Sequence, residues 1–349
     1  MQKLNKTRTV RLLRIIMPII GIITAVIFVP WDAVFAWLAP LPATVEEDLD
    51  AAVDRGFDGA IVYVNQAGEE ALYAAGWKNR AEQVPADPQA LFKIASISKL
   101  YVATATAKLV NEGRLSLDDT LADYLPELVG RIENADQITL RMMLQHRSGI
   151  PNFTDNPDYP WFETLPNLDA YLAYALDQPA VFAPDSDYRY SNTNYQLIGD
   201  ILDKVLGYSH HQYIKDEILE PLGLSDTYSL LSEVDSLERV SSGYHDEVEP
   251  DLKELDHISP AGSMVATAQD VGIFLKALNE GSLLNEDEQA IYSSIYEYGH
   301  TGWVPGYQSI ARYCPDTDTV VVLFVNSTGG DTEATIHIVF DRIVRIVGG

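Results

Sequence analysis

The sequence predicts an α+β fold in which a mostly helical lobe is inserted into a sheet-bearing lobe assembled from both ends of the chain. Three observations carry that expectation. Apolar residues alternate with a period of two in GAIVYVNQAGEEALYAAGW, and strand patterns return in WVPGYQSIARYC and TVVVLFVNS. Between them, residues 116–255 carry mostly helical patterns broken by Pro- and Asn-rich loops. A length of 349 residues allows one large domain or two lobes.

Taken in order, the chain opens with Lys3, Lys6, Arg8, Arg11 and Arg14 and no acid before Asp32. The apolar run Ile15–Val29 follows, and with PWDAVFAWLA it extends to Ala39, with Trp31 and Trp37 at interfacial positions. Residues 1–40 read as a basic head and an uncleaved signal anchor. The competing reading is a signal peptide cut after Val34-Phe35-Ala36. Positive-inside logic then places a single-pass chain in the bacterial cytoplasmic membrane, with residues 41–349 on the periplasmic or extracellular side.

Residues 44–54 read as a capped amphipathic helix, and 59–76 as a hairpin turning at Gln66-Ala67-Gly68. A helix over 96–112 stops at Gly113, and another over 267–280 stops at Gly281. Strands flank a turn at Pro315–Asp318, and a last helix covers about 332–347. The sheet lobe is expected over about 44–115 and 256–349, with the helical lobe over 116–255.

The formal charge is −27, but outside the basic head 19 Lys and Arg face 51 Asp and Glu, a net −32. That excludes a general nucleic-acid binder, which needs a basic footprint. Cys314 is the only cysteine, so there is no intrachain disulfide and no cysteine zinc site. The pairs His210-His211 and His245/His257 lack a zinc-binding spacing and read as surface residues, while His146 reads as a helix-end hydrogen-bonding residue. No G-x-S-x-G elbow, dinucleotide fingerprint or phosphate loop occurs. No metal, cofactor or obligate protein partner is called for, only a small-molecule or peptide substrate and the membrane.

Ser96 and Lys99 form the only Ser-x-x-Lys in the chain. On a helix the two side chains share a face, and a lysine whose pKa is lowered by burial can take the serine proton. An amphipathic helix with an incidental serine and lysine matches the same four residues. Two later stretches supply what such a pair needs. Tyr190-Ser191-Asn192 offers a proton relay and an amide, although Tyr63-Val64-Asn65 matches that pattern within a core strand. His300-Thr301-Gly302 opens a strand whose next backbone N–H, that of Trp303, pairs with the Ser96 N–H as an oxyanion hole.

In this order, Ser-x-x-Lys, Tyr-Ser-Asn and His-Thr-Gly resemble the motifs of the penicillin-recognising serine hydrolases, on the branch related to class C β-lactamases. That branch includes D-Ala-D-Ala carboxypeptidases, D-aminopeptidases and esterases. ITLRMMLQHRSGIPNF, PLGLSDTYS, PAGSMVATAQDVGIFLKAL and GHTGWVPGY are similar to phrases of the same family. The resemblance implies the β-lactamase/transpeptidase-like fold, an antiparallel sheet flanked by helices. It also implies Ser96 as nucleophile, Lys99 and Tyr190 as base and acid, Asn192 as substrate-orienting, and His300, Thr301 and Gly302 lining the site. Two departures stand out: no basic residue lies between Lys276 and His300 to hold a terminal carboxylate, with Glu297 there instead, and the segment just before His300 is shorter than usual, so a reduced sheet edge is expected there.

Overall fold

The computed structural model describes residues 6–246, 248–249 and 251–348. Three strands come from the first part of the chain, β1 (Gly59–Gln66), β2 (Glu69–Asn79) and β3 (Val84–Pro85). Three come from the last part, β4 (His300–Val304), β5 (Tyr307–Cys314) and β6 (Thr319–Val325). They form one antiparallel sheet in the order β3-β2-β1-β6-β5-β4. β1 and β6 join the two parts, with Ala60 opposite Val325 and Gln66 opposite Thr319.

Both central strands are buried on both faces, and the period of two sorts their side chains into separate layers. Val62, Val64, Val321 and Leu323 pack under two helices, α3 (Val45–Val53) and α7 (Thr332–Gly348). Ile61, Tyr63, Val322 and Phe324 face the larger core under α4 (Ser98–Asn111) and α6 (Ala268–Glu280). Tyr63 is fully buried there, and a Cβ at Gly272 of α6 would come within 2.1 Å of its ring. The Tyr-Val-Asn look-alike is therefore a packing feature of the core.

Helix ends follow the capping rules. Thr44 and Thr267 accept from backbone N–H groups at the starts of α3 and α6, and Gly281 ends α6 at φ 77°. The helical region includes α5 (Asn192–Leu206), ended by Gly207 at φ 77°. Its later part turns back to short strands. Thr227–Tyr228 pairs with Val265–Ala266, and Tyr244–His245 pairs with Ser327–Thr328. The expected helical character therefore stops before residue 255.

The N-terminal segment differs from a single straight anchor. α1 (Lys6–Phe28) and α2 (Trp31–Leu38) meet at Pro30 with a bend of 81°. No single helix among the described residues is long and apolar enough to cross a membrane, although this bent pair reaches that length and composition together. Lys3, at the start of the basic head, lies outside the described residues. α2 is held on the folded body by Arg342 of α7, which is 2% exposed. Its guanidinium pairs with buried Asp48 and donates to the carbonyls of Ala36, Ala39 and Pro40. These carbonyls lie at and just past the C-terminal end of α2, where a helix leaves its last carbonyls without intrahelical partners, and the arginine satisfies them.

Candidate active site

From Leu91 to Ala107 every residue is buried except Ser96. Ser96 does not begin the α-helix, as expected from sequence; it lies in a 3₁₀ turn, Ala95–Ile97, and α4 starts at Ser98. In a 3₁₀ turn side chains at i and i+3 eclipse, so the serine and lysine still meet. Ala95 adopts φ 50°, a left-handed conformation that costs energy for a residue with a Cβ. Ser98 Oγ holds the turn, donating to the Ala95 carbonyl at 2.6 Å and accepting from Met264 N at 3.1 Å.

Lys99 is fully buried, and its Nζ lies 3.0 Å from Ser96 Oγ, 2.8 Å from Asn192 Oδ1 and 2.6 Å from the Ala261 carbonyl. Burial pushes its pKa well below the usual lysine value. A neutral amine suits this geometry: two N–H bonds serve Asn192 and Ala261, and the lone pair faces the serine hydroxyl. Tyr190 donates its hydroxyl to Ser96 Oγ at 2.9 Å, and burial drives its pKa upward. Of the two groups on Ser96, the amine is thus the one able to accept a proton.

Asn192 begins α5. Its Oδ1 faces Lys99 while its Nδ2 donates to Thr154 Oγ1 at 3.1 Å, and its backbone N–H donates to Asn152 Oδ1 at 2.9 Å. His146, at φ 57° after the helix Leu140–Leu144, accepts from Ser191 N at 3.2 Å and lies 4.4 Å ring to ring from Tyr190. It is a helix-end hydrogen-bonding residue, and burial lowers its pKa, favouring the neutral ring.

The third stretch lies on the edge strand β4. In a hairpin with a two-residue loop the flanking pair, here Val304 and Tyr307, is hydrogen-bonded. At the next pair, Trp303 and Gln308, backbone N–H groups point away from the partner strand. The Trp303 N–H therefore faces the open edge, against which the Ser96 turn packs. Gly302 makes that approach possible: a Cβ there would lie 2.3 Å from the Ile94 carbonyl and 2.2 Å from Ser309 Oγ. Gly302→Ala should displace β4 from the turn, lowering kcat by tenfold or more and stability by about 1–3 kcal/mol. Wild-type kcat together with an unchanged melting temperature would show that the strand accommodates a methyl.

His300 is buried, and burial pushes its pKa below the usual imidazole value, favouring the neutral ring. Its Nε2 is 3.4 Å from Glu297 Oε1. Thr301 is solvent-exposed on the strand edge.

Sequence reasoning missed Asn152, Thr154 and Ala261, whose partners are 40, 38 and 162 positions away in the chain. It also misplaced two histidines expected at the surface. His210 is 1% exposed and hydrogen-bonded to Asp203. His257 lines the cleft beside Ser96, with its Nε2 buried. Histidines on mixed apolar and polar stretches carry no signal in sequence for which side they face.

A family model described as Beta-lactamase matches residues 41–294. Penicillin-binding protein 4* of Bacillus subtilis (strain 168) is 26% identical over 346 residues, 82% of this chain and 73% of that protein. The D-amino acid amidase of Ochrobactrum anthropi SV3, solved in complex with L-phenylalanine, superposes with a TM-score of 0.77 at 26% identity, covering 87% of this chain and 97% of that one. A class C β-lactamase from Rhodobacter sphaeroides shares the fold, with a TM-score of 0.67 at 21% identity, over 87% of this chain and 99% of the other.

Proposed function

From the premise that this chain belongs to the Beta-lactamase family, we propose that it is an exported serine hydrolase acting through an acyl-enzyme on Ser96. The carrying observation is that Lys99 Nζ and Tyr190 OH both hydrogen-bond Ser96 Oγ, at 3.0 and 2.9 Å. Lys99 takes the hydroxyl proton as Oγ attacks the substrate carbonyl carbon. The backbone N–H groups of Ser96 and Trp303 hold the oxyanion. The proton then passes through Tyr190 to the leaving nitrogen or oxygen, the carbon–leaving-group bond breaks, and an ester remains on Ser96. Water attack on that ester releases the acid and restores the serine.

Substrates are amides or esters, with D-amino-acid derivatives favoured by the similarity to D-amino acid amidase. A carboxypeptidase acting on D-Ala-D-Ala ends is the weaker version. At the third motif, buried His300 lies 3.4 Å from Glu297, which disfavours the carboxylate of a peptide terminus there. The same observation favours a carboxylesterase as the second reading. Mass spectrometry of the full chain, followed in time after adding a D-amino-acid amide, a simple ester or penicillin, tests this. An adduct on the Ser96 peptide that forms and decays on the amide or ester supports hydrolysis. An adduct that never decays means a penicillin-binding-like sensor instead.

Export and a membrane anchor are part of this reading. Cleavage after Ala36 would cut α2 near its C-terminal end, where Ala36 is buried and its carbonyl accepts from Arg342. The full chain is therefore expected to stay with membranes after a salt wash and to keep its basic head. A soluble mature form starting near Trp37 or Thr44 would overturn the anchor.

A further inference from the structure

The cleft that Ser96 lines holds a space of about 50 Å³ with aromatic walls. Phe153, Tyr159, Trp161 and Trp303 follow one another in ring contact, with centroids 5.4, 4.9 and 5.2 Å apart. Trp161 belongs to the helical region and Trp303 to β4, so the last contact bridges the cleft. Trp303 is held from outside by Glu333, which accepts from its indole N–H at 3.0 Å. Among the described residues, no Lys, Arg, Asp or Glu side chain lines this space.

One polar group in the lining is left without a use. His257 Nε2 is buried and has no hydrogen-bond partner among the described residues. The segment bearing it is pinned on every side. Asp256 N donates to Thr164 Oγ1 at 3.1 Å, and Ile258 N donates to Tyr171 OH at 3.2 Å. Behind it, buried Lys93 donates to the carbonyls of Leu252 and Leu255 at 2.9 and 2.5 Å. Burial, with the nearby Lys93 charge, lowers the His257 pKa to about 3, so the imidazole is neutral across the working range. A buried polar atom without a partner is costly and calls for an explanation. Here the flanking backbone is held by Thr164 and Tyr171, which keeps the imidazole in the cleft lining.

We propose that His257 is a specificity-determining residue: its Nε2 hydrogen-bonds a short, uncharged side group of the substrate that ends in an amide or hydroxyl. The aromatic walls cover that group's apolar stem. The volume admits only a few non-hydrogen atoms. A charged tip would lose its water with no counter-ion in the lining, and a purely apolar tip would leave Nε2 unpaired. This inference rests on the reading of Ser96 as the acylated nucleophile.

The test uses p-nitrophenyl esters of one skeleton with three tips: a primary carboxamide, its apolar isostere isopropyl, and a carboxylate. Each is prepared with the tip carbon four and five atoms along the acyl chain, counting the reacting carbonyl. Rates are corrected with Ser96→Ala for spontaneous hydrolysis. In the full chain, kcat/KM for the carboxamide should exceed that for the isopropyl and carboxylate tips by about tenfold or more at one chain length. His257→Leu should erase the carboxamide preference over isopropyl, and His257→Gln should restore part of it. Melting temperatures establish that each variant is folded. A wild-type preference for isopropyl, or a His257→Leu variant that slows both esters equally, would overturn the proposal; a water bound permanently at Nε2 would produce the second result. Fluorophosphonate labelling of Ser96 separates the two readings. Labelling with no tip preference refutes the His257 assignment alone, whereas a folded chain that is neither labelled nor active refutes the hydrolase reading as well.

Discussion

A folded Ser96→Ala protein is expected to lose covalent labelling by fluorophosphonate and to hydrolyse p-nitrophenyl butyrate no faster than background. The loss should be on the order of 10⁵–10⁶ in kcat, the scale seen when the nucleophile of a serine hydrolase is removed. The structure makes this variant a clean test. Ser96 is the one residue of its stretch that is not buried, and the turn around it is held by Ser98 Oγ and Met264 N. Alanine at 96 leaves those bonds in place, so the fold should survive. Full ester hydrolysis by the folded variant would mean that the nucleophile lies elsewhere.

Lys99→Ala should slow acylation by about 10²–10⁴-fold, the usual worth of general-base assistance. Tyr190→Phe acts on the same oxygen, so the double variant should be far less impaired than the product of the single effects. Multiplicative losses would show two independent roles. The pH profile supplies a second readout. Lys99 must be neutral to accept the proton, so wild-type kcat/KM should rise as pH passes through its lowered pKa, well below 10.5. That limb should vanish in Lys99→Ala. Stability carries the same sign. Between the lowered folded value and the ordinary one, the unfolded chain binds more protons at this lysine, so its contribution to stability increases with pH across that window. Comparing the pH dependence of melting for wild type and Lys99→Ala isolates it.

The fold was legible because its signals are local and redundant. Alternation in GAIVYVNQ and TVVVLFV specifies strands whatever they pair with, and Thr44, Thr267, Gly113 and Gly281 mark helix ends through their own backbone and side-chain chemistry. Ser96 and Lys99 were legible for a related reason. Any helical or 3₁₀ geometry brings i and i+3 together, so the error in where α4 begins did not separate them. Tyr190 and the His300 strand were legible only as ordered motifs, since their distance from Ser96 in the chain hides their contact.

By itself, then, the sequence determined the class of fold, the Ser96–Lys99 pair and the acidic charge balance, all properties of neighbouring residues or of composition. Tertiary structure supplied the contacts that separate the two Tyr-x-Asn copies. Tyr63 is packed against Gly272, while Tyr190 reaches Ser96 Oγ. It decided that the Lys99 pKa is pushed down, because the burial responsible comes from distant segments packing around the side chain rather than from the residues beside it. It also turned His257 from an expected surface residue into part of the cleft, and bent the N-terminal segment so that Arg342 holds α2. Burial and long-range hydrogen bonds arise when distant segments pack, and a local pattern of residues does not carry that information.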